Sequence, residues 1–507
     1  MILNLLAYIL FGVSFFLSLQ FKYIGIAFVY IYALMLIRMS KEEKMKSRFL
    51  NAFLTFFVFW LMMLNWLLVI NVDLTILQRI LIFFGWMFLS MLMGMVWSLP
   101  FAIASVKNNE VYFIPVIVSA LEYFMSCTRD LSFLWVTPAT AILDYPVLFQ
   151  SADIGGSYLV SFIVIMFSVL LFKLFTAKNA VIYKIAIVIL LFTVVLYGSF
   201  RIKNQYYGET IKVTIVQPNI PGEMKESYRE FIEYRFKAIK ENLEKAKTQE
   251  GEIVIFPETA SPVYLTKRSK NEIKTYLIDF ANENSKSILI GGLTYEYGSK
   301  NEEDRYYNSA FLIAPNETIQ TYNKIRCVPF VERLPYEEKL RFLKKIDYGQ
   351  GGYSVGKEQT VFKAGKSRFS AYICFESIFP TYVSTFAKNG AQFLVNISED
   401  AWFVKGIGAY QHFQAGILRA VENRRYLVRV SNPGISGVID PNGKIVASTK
   451  LNTAEVFTED IVLNDSITFF TASGNILPKI FLLIMIFMII FKLIRRHNGT
   501  AKTKNSA

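Results

Sequence analysis

Seven long apolar runs crowd the first 200 residues, at roughly 3–19, 22–38, 49–71, 77–104, 111–127, 157–176 and 180–199, and an eighth at 476–494 follows a polar block. No other feature restricts the fold so strongly. Inside a bilayer every backbone N–H and C=O must be satisfied within the segment, so a run of ~20 apolar residues there is a helix. The pattern predicts a multi-pass α-helical membrane domain with eight spans. A content of 53% hydrophobic and 16% aromatic residues, more than a soluble core needs, agrees with it.

Lys and Arg in short loops stay cytoplasmic, and this orients the spans. With the N-terminus inside, the inner loops hold RMSKEEKMKSR (38–48) with five Lys or Arg, the 173–184 turn with Lys173, Lys178 and Lys184, and the tail KLIRRH (492–497). The outer loop NVDLT (72–76) holds none. The expected organisation is therefore a seven-span domain over 1–200, an outside domain over 201–470, and a final helix with a cytoplasmic basic tail over 471–507. This orientation accounts for most of the net charge of +14, so the charge implies no nucleic-acid partner. The first run lacks a basic n-region and a small-residue cleavage site, and another span follows at once, so it is expected to be a retained helix.

The block from about 205 to 470 follows different periods. IKVTIVQPN (211–219) alternates at period two, and 225–247 spaces Phe231, Ile232, Phe236, Ile239 and Leu243 at helical period. EIVIFPE (252–258), KSILIGG (286–292), NSAFLIAP (308–315), FSAYICFE (369–376), AQFLVNIS (391–398) and YLVRVSNPG (426–434) are strand-like, with a helix-like stretch at 407–424. Strands alternating with helices predict layered α/β architecture.

Three widely spaced cysteines, Cys127, Cys327 and Cys374, offer neither a disulfide framework nor a C-x-x-C pair, and two histidines, His412 and His497, cannot build an imidazole metal site. A cysteine nucleophile here would need a carboxylate base. Glu258 and Cys374 both follow apolar strand-like runs, where layered α/β folds place reactive residues, and Lys324 sits in TYNKIRCVPF. A partly buried Glu can take a thiol proton, and a lysine with the N–H after the nucleophile, that of Phe375, can hold an oxyanion. Taken singly, Cys374 would be a buried structural thiol, Glu258 a helix cap and Lys324 a solvated strand-end charge.

The surrounding motifs favour the reactive reading. FPE (256–258), YNK (322–324) and CFE (374–376) resemble, in order and spacing, the Glu-Lys-Cys motifs of the nitrilase superfamily, whose fold is an αββα sandwich. Within it the chain is most similar to the apolipoprotein N-acyltransferase family, through YNKIRCVPFVERLP (322–335), NISEDAWFVKGIGAYQHFQAGILRAVENRR (396–425), FQSADIGGSYLVSF (149–162) and the span arrangement. The resemblance implies Glu258 as base, Lys324 as oxyanion stabiliser and Cys374 as nucleophile, with Glu332 supporting the lysine and Glu376 and Trp402 at substrate-binding positions beside the thioester. It implies no cofactor, a phospholipid acyl donor, a diacylglyceryl lipoprotein acceptor, and a bacterial inner membrane with the catalytic domain on the periplasmic side. Val331, Arg333 and Cys327 depart from the family pattern and bear on local loop shape.

Other residues have plainer expectations. Cys127 and Cys327 are expected to pack, and His412 to be a hydrogen-bonded helix residue. Glu122 within the fifth span is either functional, structurally paired or near the headgroups. Residues 333–353 combine Leu340, Phe342, Leu343 and Ile346 with basic residues and Gly351–Gly352, the pattern of a lid dipping toward lipid or of an ordinary hairpin. Two rival functions remain: a membrane-tethered amidase that passes its thioester to water, and a transporter or receptor with a binding-only outer domain.

Overall fold

The computed structural model describes residues 2–70, 75–203, 208–220, 227–266, 271–298, 303–337, 339, 351–403 and 406–504. Seven helices come first: α1 Ile2–Ser18, α2 Ala27–Met39, α3 Met45–Met63, α4 Ile76–Ile103, α5 Ile114–Ser126, α6 Ala152–Thr176 and α7 Val181–Lys203. Among the described residues five helical segments are long and apolar enough to cross a membrane: Met45–Val69, Ile76–Ile103, Ala152–Thr176, Val181–Lys203 and Ile476–Arg495. The runs expected at 3–19, 22–38 and 111–127 form helices of 17, 13 and 13 residues, shorter than a ~20-residue crossing. Aromatic rings fill the interior of this block, with Phe15, Tyr32, Phe56, Phe59, Trp60 and Phe101 all buried. Its outer face is apolar as well: Ile189, Phe192 and Leu196 of α7 are exposed, as a surface facing lipid rather than water would be.

The polar block then builds β1 Thr210–Gln217, α8 Tyr228–Lys247, β2 Ile253–Ile255, α9 Glu272–Asn284, β3 Ser287–Glu296, β4 Arg305–Ile313, β5 Gln320–Asn323, β6 Phe362–Ala364, β7 Ser367–Ile373, α10 Pro380–Lys388, β8 Phe393–Glu399, α11 Gly408–Asn423, β9 Leu427–Asn432, β10 Gly437–Ile439, β11 Ile445–Ser448 and β12 Glu455–Val462. A short α12, Phe469–Ser473, leads into α13, Ile476–Lys504. The strands form two six-stranded sheets, ordered β12-β1-β2-β3-β4-β5 and β11-β10-β9-β8-β7-β6.

Strand alternation explains the layers. Ile253, Ile255, Leu289 and Leu312 share one core with Phe369, Ala371 and Val395 of the other sheet, whereas Val254, Ile288, Ile290 and Phe311 share a second core with Phe236, Leu243 and Leu277 of α8 and α9. Sheet therefore packs on sheet, with helices outside, and the α/β architecture expected from the sequence is present.

The helical layer formed by α10 and α11 lies between the second sheet and the membrane helices. Two buried ionic clusters join α11 to α6. Arg424 donates to Asp153 Oδ2 from Nε (3.0 Å) and Nη2 (2.7 Å), and Arg201 of α7 approaches the same oxygen at 2.8 Å. Arg419 grips Glu422 at 2.6 and 2.7 Å while Glu422 Oε1 accepts the Ser157 N–H at 2.8 Å.

Candidate active site

Glu258 lies three residues beyond β2, in a turn that closes against β3 because Gly291 has no side chain: a Cβ there would sit 2.5 Å from Glu258 Cα and 2.6 Å from the Pro257 carbonyl oxygen. Lys324 directly follows β5, and Gly356 allows an equally close approach, since its Cβ would lie 2.0 Å from the Asn323 carbonyl oxygen. Cys374 directly follows β7 with φ of +50°, in the left-handed region that a β-carbon disfavours.

The carboxylates and the ammonium form one buried cluster. Glu258 and Lys324 are 4% and 1% exposed. Lys324 Nζ lies 2.8 Å from Glu332 Oε1 and 3.4 Å from Glu258 Oε1. Asn308 Nδ2 donates to both glutamates, at 2.6 Å to Glu258 and 3.0 Å to Glu332, and the Val328 N–H donates to Glu332 Oε2 at 2.7 Å. The second oxygen of Glu258 accepts the Glu399 N–H at 2.7 Å. Glu332 is thus the nearer of the two carboxyls paired with Lys324.

Electrostatics tie Cys374 to this cluster. Desolvation first, then the negative charge of Glu258, pushes the half-buried Cys374 thiol well above its ordinary range, and Lys324 pulls the other way. Burial likewise raises Glu258, opposed mainly by Lys324. Lys324 holds its proton far above the usual lysine range because the charges of Glu332, Glu258 and Cys374 outweigh the effect of burial. The site is therefore a protonated lysine beside two carboxyls and a thiol.

Phe375 packs its ring against Phe379 and Phe133, at centroid distances of 5.2 and 6.4 Å. Trp402, in the turn after β8, is 39% exposed and open to contact. Glu376 corrects an expectation. It is fully buried, and its carboxylate accepts the N–H groups of Ile325 (2.9 Å), Arg326 (2.9 Å) and Ile373 (2.7 Å) and the Tyr322 hydroxyl (2.8 Å). No lone pair is left for substrate, so Glu376 fastens the lysine segment to the cysteine turn.

His412 has the hydrogen-bonded place expected of it, with Nδ1 2.9 Å from Asp400 Oδ1 and 3.0 Å from Arg429 Nη2 and its ring stacked on Trp135. Burial and the Arg429 charge lower its pKa, opposed by Asp400 and by a hydrogen bond with the Cys374 backbone. Cys327 is part-buried, its thiol pushed up to about 12 mainly by burial, whereas Cys127 is exposed, against the expectation that it packs. Glu122 is buried with neither carboxylate oxygen in a hydrogen bond among the described residues, and it lines a cavity of about 910 Å³ shared with Trp135 and Gln411. Of the expected lid, Leu340, Phe342, Leu343 and Ile346 lie outside the described residues.

Asn308 and Glu399 are the site residues that motif reading passed over. Asn308, a polar residue opening the apolar run NSAFLIAP, carried the one signal available.

Known proteins share both halves of this arrangement. The sequence model of the family described as "Carbon-nitrogen hydrolase" matches residues 212–469, just over half of the chain, and that described as "Apolipoprotein N-acyltransferase N-terminal domain" matches residues 11–170. The apolipoprotein N-acyltransferase of Geobacter metallireducens is 30% identical over 339 residues, covering 65% of this chain and 64% of the relative. That of Rickettsia typhi is 30% identical over 353 residues, covering 68% of this chain and 69% of the relative. Among solved structures, Saccharomyces cerevisiae Nit3, of branch 10 of the nitrilase superfamily, aligns at 19% identity with a TM-score of 0.38, over 50% of this chain and 90% of its own. The Rickettsia typhi relative, covered over more than two thirds of its length at 30% identity, places the chain in the apolipoprotein N-acyltransferase family.

Proposed function

We propose that this protein transfers an acyl chain from a membrane phospholipid to the N-terminal α-amino group of an S-diacylglyceryl-cysteine apolipoprotein, in ping-pong fashion, through a thioester on Cys374. The observation that carries the reading is the buried cluster in which Lys324 bridges Glu258 and Glu332 while its charge and that of Glu258 act on the strained Cys374.

In the first half-reaction Glu258 takes the thiol proton as sulfur adds to the ester carbonyl carbon. Because desolvation holds the thiol proton tightly, transfer to Glu258 accompanies the attack rather than preceding it. The oxyanion forms between the Lys324 ammonium and the Phe375 N–H. Its collapse breaks the ester C–O bond, Glu258 returns the proton to the departing alkoxide, and a lysophospholipid leaves. In the second half-reaction the acceptor amine attacks the thioester carbonyl and Glu258 accepts the amine proton. The C–S bond then breaks, the thiolate regains that proton, and an amide remains. Atoms and protons balance with these side chains alone.

The apolar helices fit this role because both substrates carry acyl chains, and moving each CH₂ into water costs about 0.8 kcal/mol. In this reading the chain crosses a bacterial inner membrane eight times, seven in residues 1–200 and once in 471–507, with the short helices α1, α2 and α5 crossing together with the residues that flank them, and presents the 201–470 domain to the periplasm. The Lys and Arg distribution supports that orientation. Trp402 contributes to the substrate wall beside the thioester.

The test is intact-mass spectrometry of the full chain reconstituted with phospholipid vesicles. Wild type should gain the mass of one acyl group and Cys374→Ala none. A wild-type protein that stays unmodified would sink the proposal.

A further inference from the structure

One carboxyl beside the site has no part in these steps. Glu399 ends β8, and its peptide N–H is the donor that holds Glu258 Oε2 at 2.7 Å. Its own carboxylate is clamped, with Asn432 Nδ2 at 3.2 Å from Oε1 and 3.1 Å from Oε2, and the Ala401 N–H at 3.2 Å from Oε1. Asn432 is fixed in turn, donating to the Ile220 carbonyl at 3.0 Å and accepting the Ile220 N–H at 2.7 Å. The clamp therefore ties β9 and the loop after β1 to the strand end that orients Glu258.

The charges facing Glu399 come from several elements. Glu258 approaches from the turn after β2 with Lys324 and Glu332 behind it, and Arg235 approaches from α8, donating to the Thr259 carbonyl at 3.3 Å. Asp400, next in the chain, is committed to Arg429 at 2.7 Å and to His412. Burial, only partly offset by Arg235, raises Glu399 to about 8, and the charge of Glu258 adds to the rise. A glutamate that merely capped the 401–403 turn would need only the Ala401 contact.

We propose that Glu399 is a positioning residue for Glu258: its clamped carboxyl fixes the N–H that orients the base, and when ionised its charge strengthens the hold of Glu258 on the proton exchanged with Cys374. The inference rests on Glu258 serving as the base in the proposed acyl transfer. It adds a third carboxyl, beside Glu258 and Glu332, whose charge bears on that exchange.

Cys374 alkylation by iodoacetamide tests this without using lipid, on the full chain in detergent micelles, with modification followed at the Cys374 peptide so that Cys127 and Cys327 do not interfere. Burial raises both the Cys374 thiol and the Glu399 carboxyl, so the variants are compared across the full rate–pH curve. Glu399→Gln keeps an acceptor for Asn432 and Ala401 but removes the charge, and it should move the midpoint of the rate–pH curve to lower pH. Glu399→Ala also removes the clamp and should slow alkylation ~10-fold at every pH. A Glu399→Gln midpoint matching wild type, or a Glu399→Ala rate matching Glu399→Gln, overturns the inference. Glu258→Gln in parallel tests the underlying reading: alkylation indifferent to that change means Glu258 is not the base, whatever Glu399 does.

Discussion

Replacing Lys324 by Met removes a charge while nearly keeping the length of the side chain, and the structure lets both consequences be worked out. Lys324 is 1% exposed and stands 2.8 Å from Glu332 and 3.4 Å from Glu258, two carboxyls that share the Asn308 amide. Removing one partner of a buried ion pair costs about 3–5 kcal/mol, part of which returns if one carboxyl takes up a proton. For a unit of this size that is a fall of roughly 6–20 °C in melting midpoint. Losing an oxyanion donor should separately slow acylation ~10²–10³-fold. The double variant Lys324→Met/Glu332→Gln separates the two effects. It removes one of the stranded negative charges, so most of the melting midpoint should return, while the acylation rate stays down at least ~100-fold. Thermal unfolding followed by tryptophan fluorescence and single-turnover acylation followed by mass spectrometry measure the two. If the double variant regains rate along with stability, Lys324 is a structural counter-ion and the oxyanion assignment is wrong.

Three further outcomes follow from the geometry. Gly291→Ala puts a Cβ 2.5 Å from Glu258 Cα, where only backbone can yield, and should cut acylation ~100-fold with circular dichroism unchanged; a loss under about threefold would show that the turn adapts. Asp153→Asn strips the charge from a carboxylate that meets Arg424 and Arg201 and should lower stability by about 3–5 kcal/mol while leaving acylation at moderate temperature within about twofold; an unchanged melting midpoint would mean that the cluster holds nothing together. Glu258 is raised, so as a base it works above its folded pKa and loses activity as pH falls through it. Glu332 contributes to that rise, so Glu332→Gln should move the acid limb of kcat/KM to lower pH, and a limb that moves up contradicts the electrostatic assignment.

Much of the fold was legible because periodicity is local. The apolar runs, the amphipathic 225–247 segment and the strand ends at 258 and 374 all recur as helices and strands at or near their expected places. What escaped were elements defined by distant partners. β12 pairs along its whole length with β1, near the start of the domain, and its largely half-exposed face lacks the apolar run of a central strand. β5 is four residues of mostly polar character, made a strand by its pairing with β4. The same limit applies at the site. The motifs pointed to Glu258, Lys324 and Cys374, the first and last of them after apolar runs. They did not reveal that Glu376 would be spent on the Ile325, Arg326 and Ile373 amides, nor that the backbone of residue 399 would hold Glu258, since both depend on how strands meet in space.

The central claim is that Cys374 carries an acyl group between two substrates. A donor with an isotopically labelled acyl chain is allowed to load the protein, excess donor is removed, and a diacylglyceryl-cysteine peptide with a free α-amine is added in a single turnover. The label should leave Cys374 and appear as an amide on the peptide in equal amount, with Nα-acetylated peptide receiving none. Label that passes to water at the same rate with or without the free amine, or that never resides on Cys374, would contradict the account.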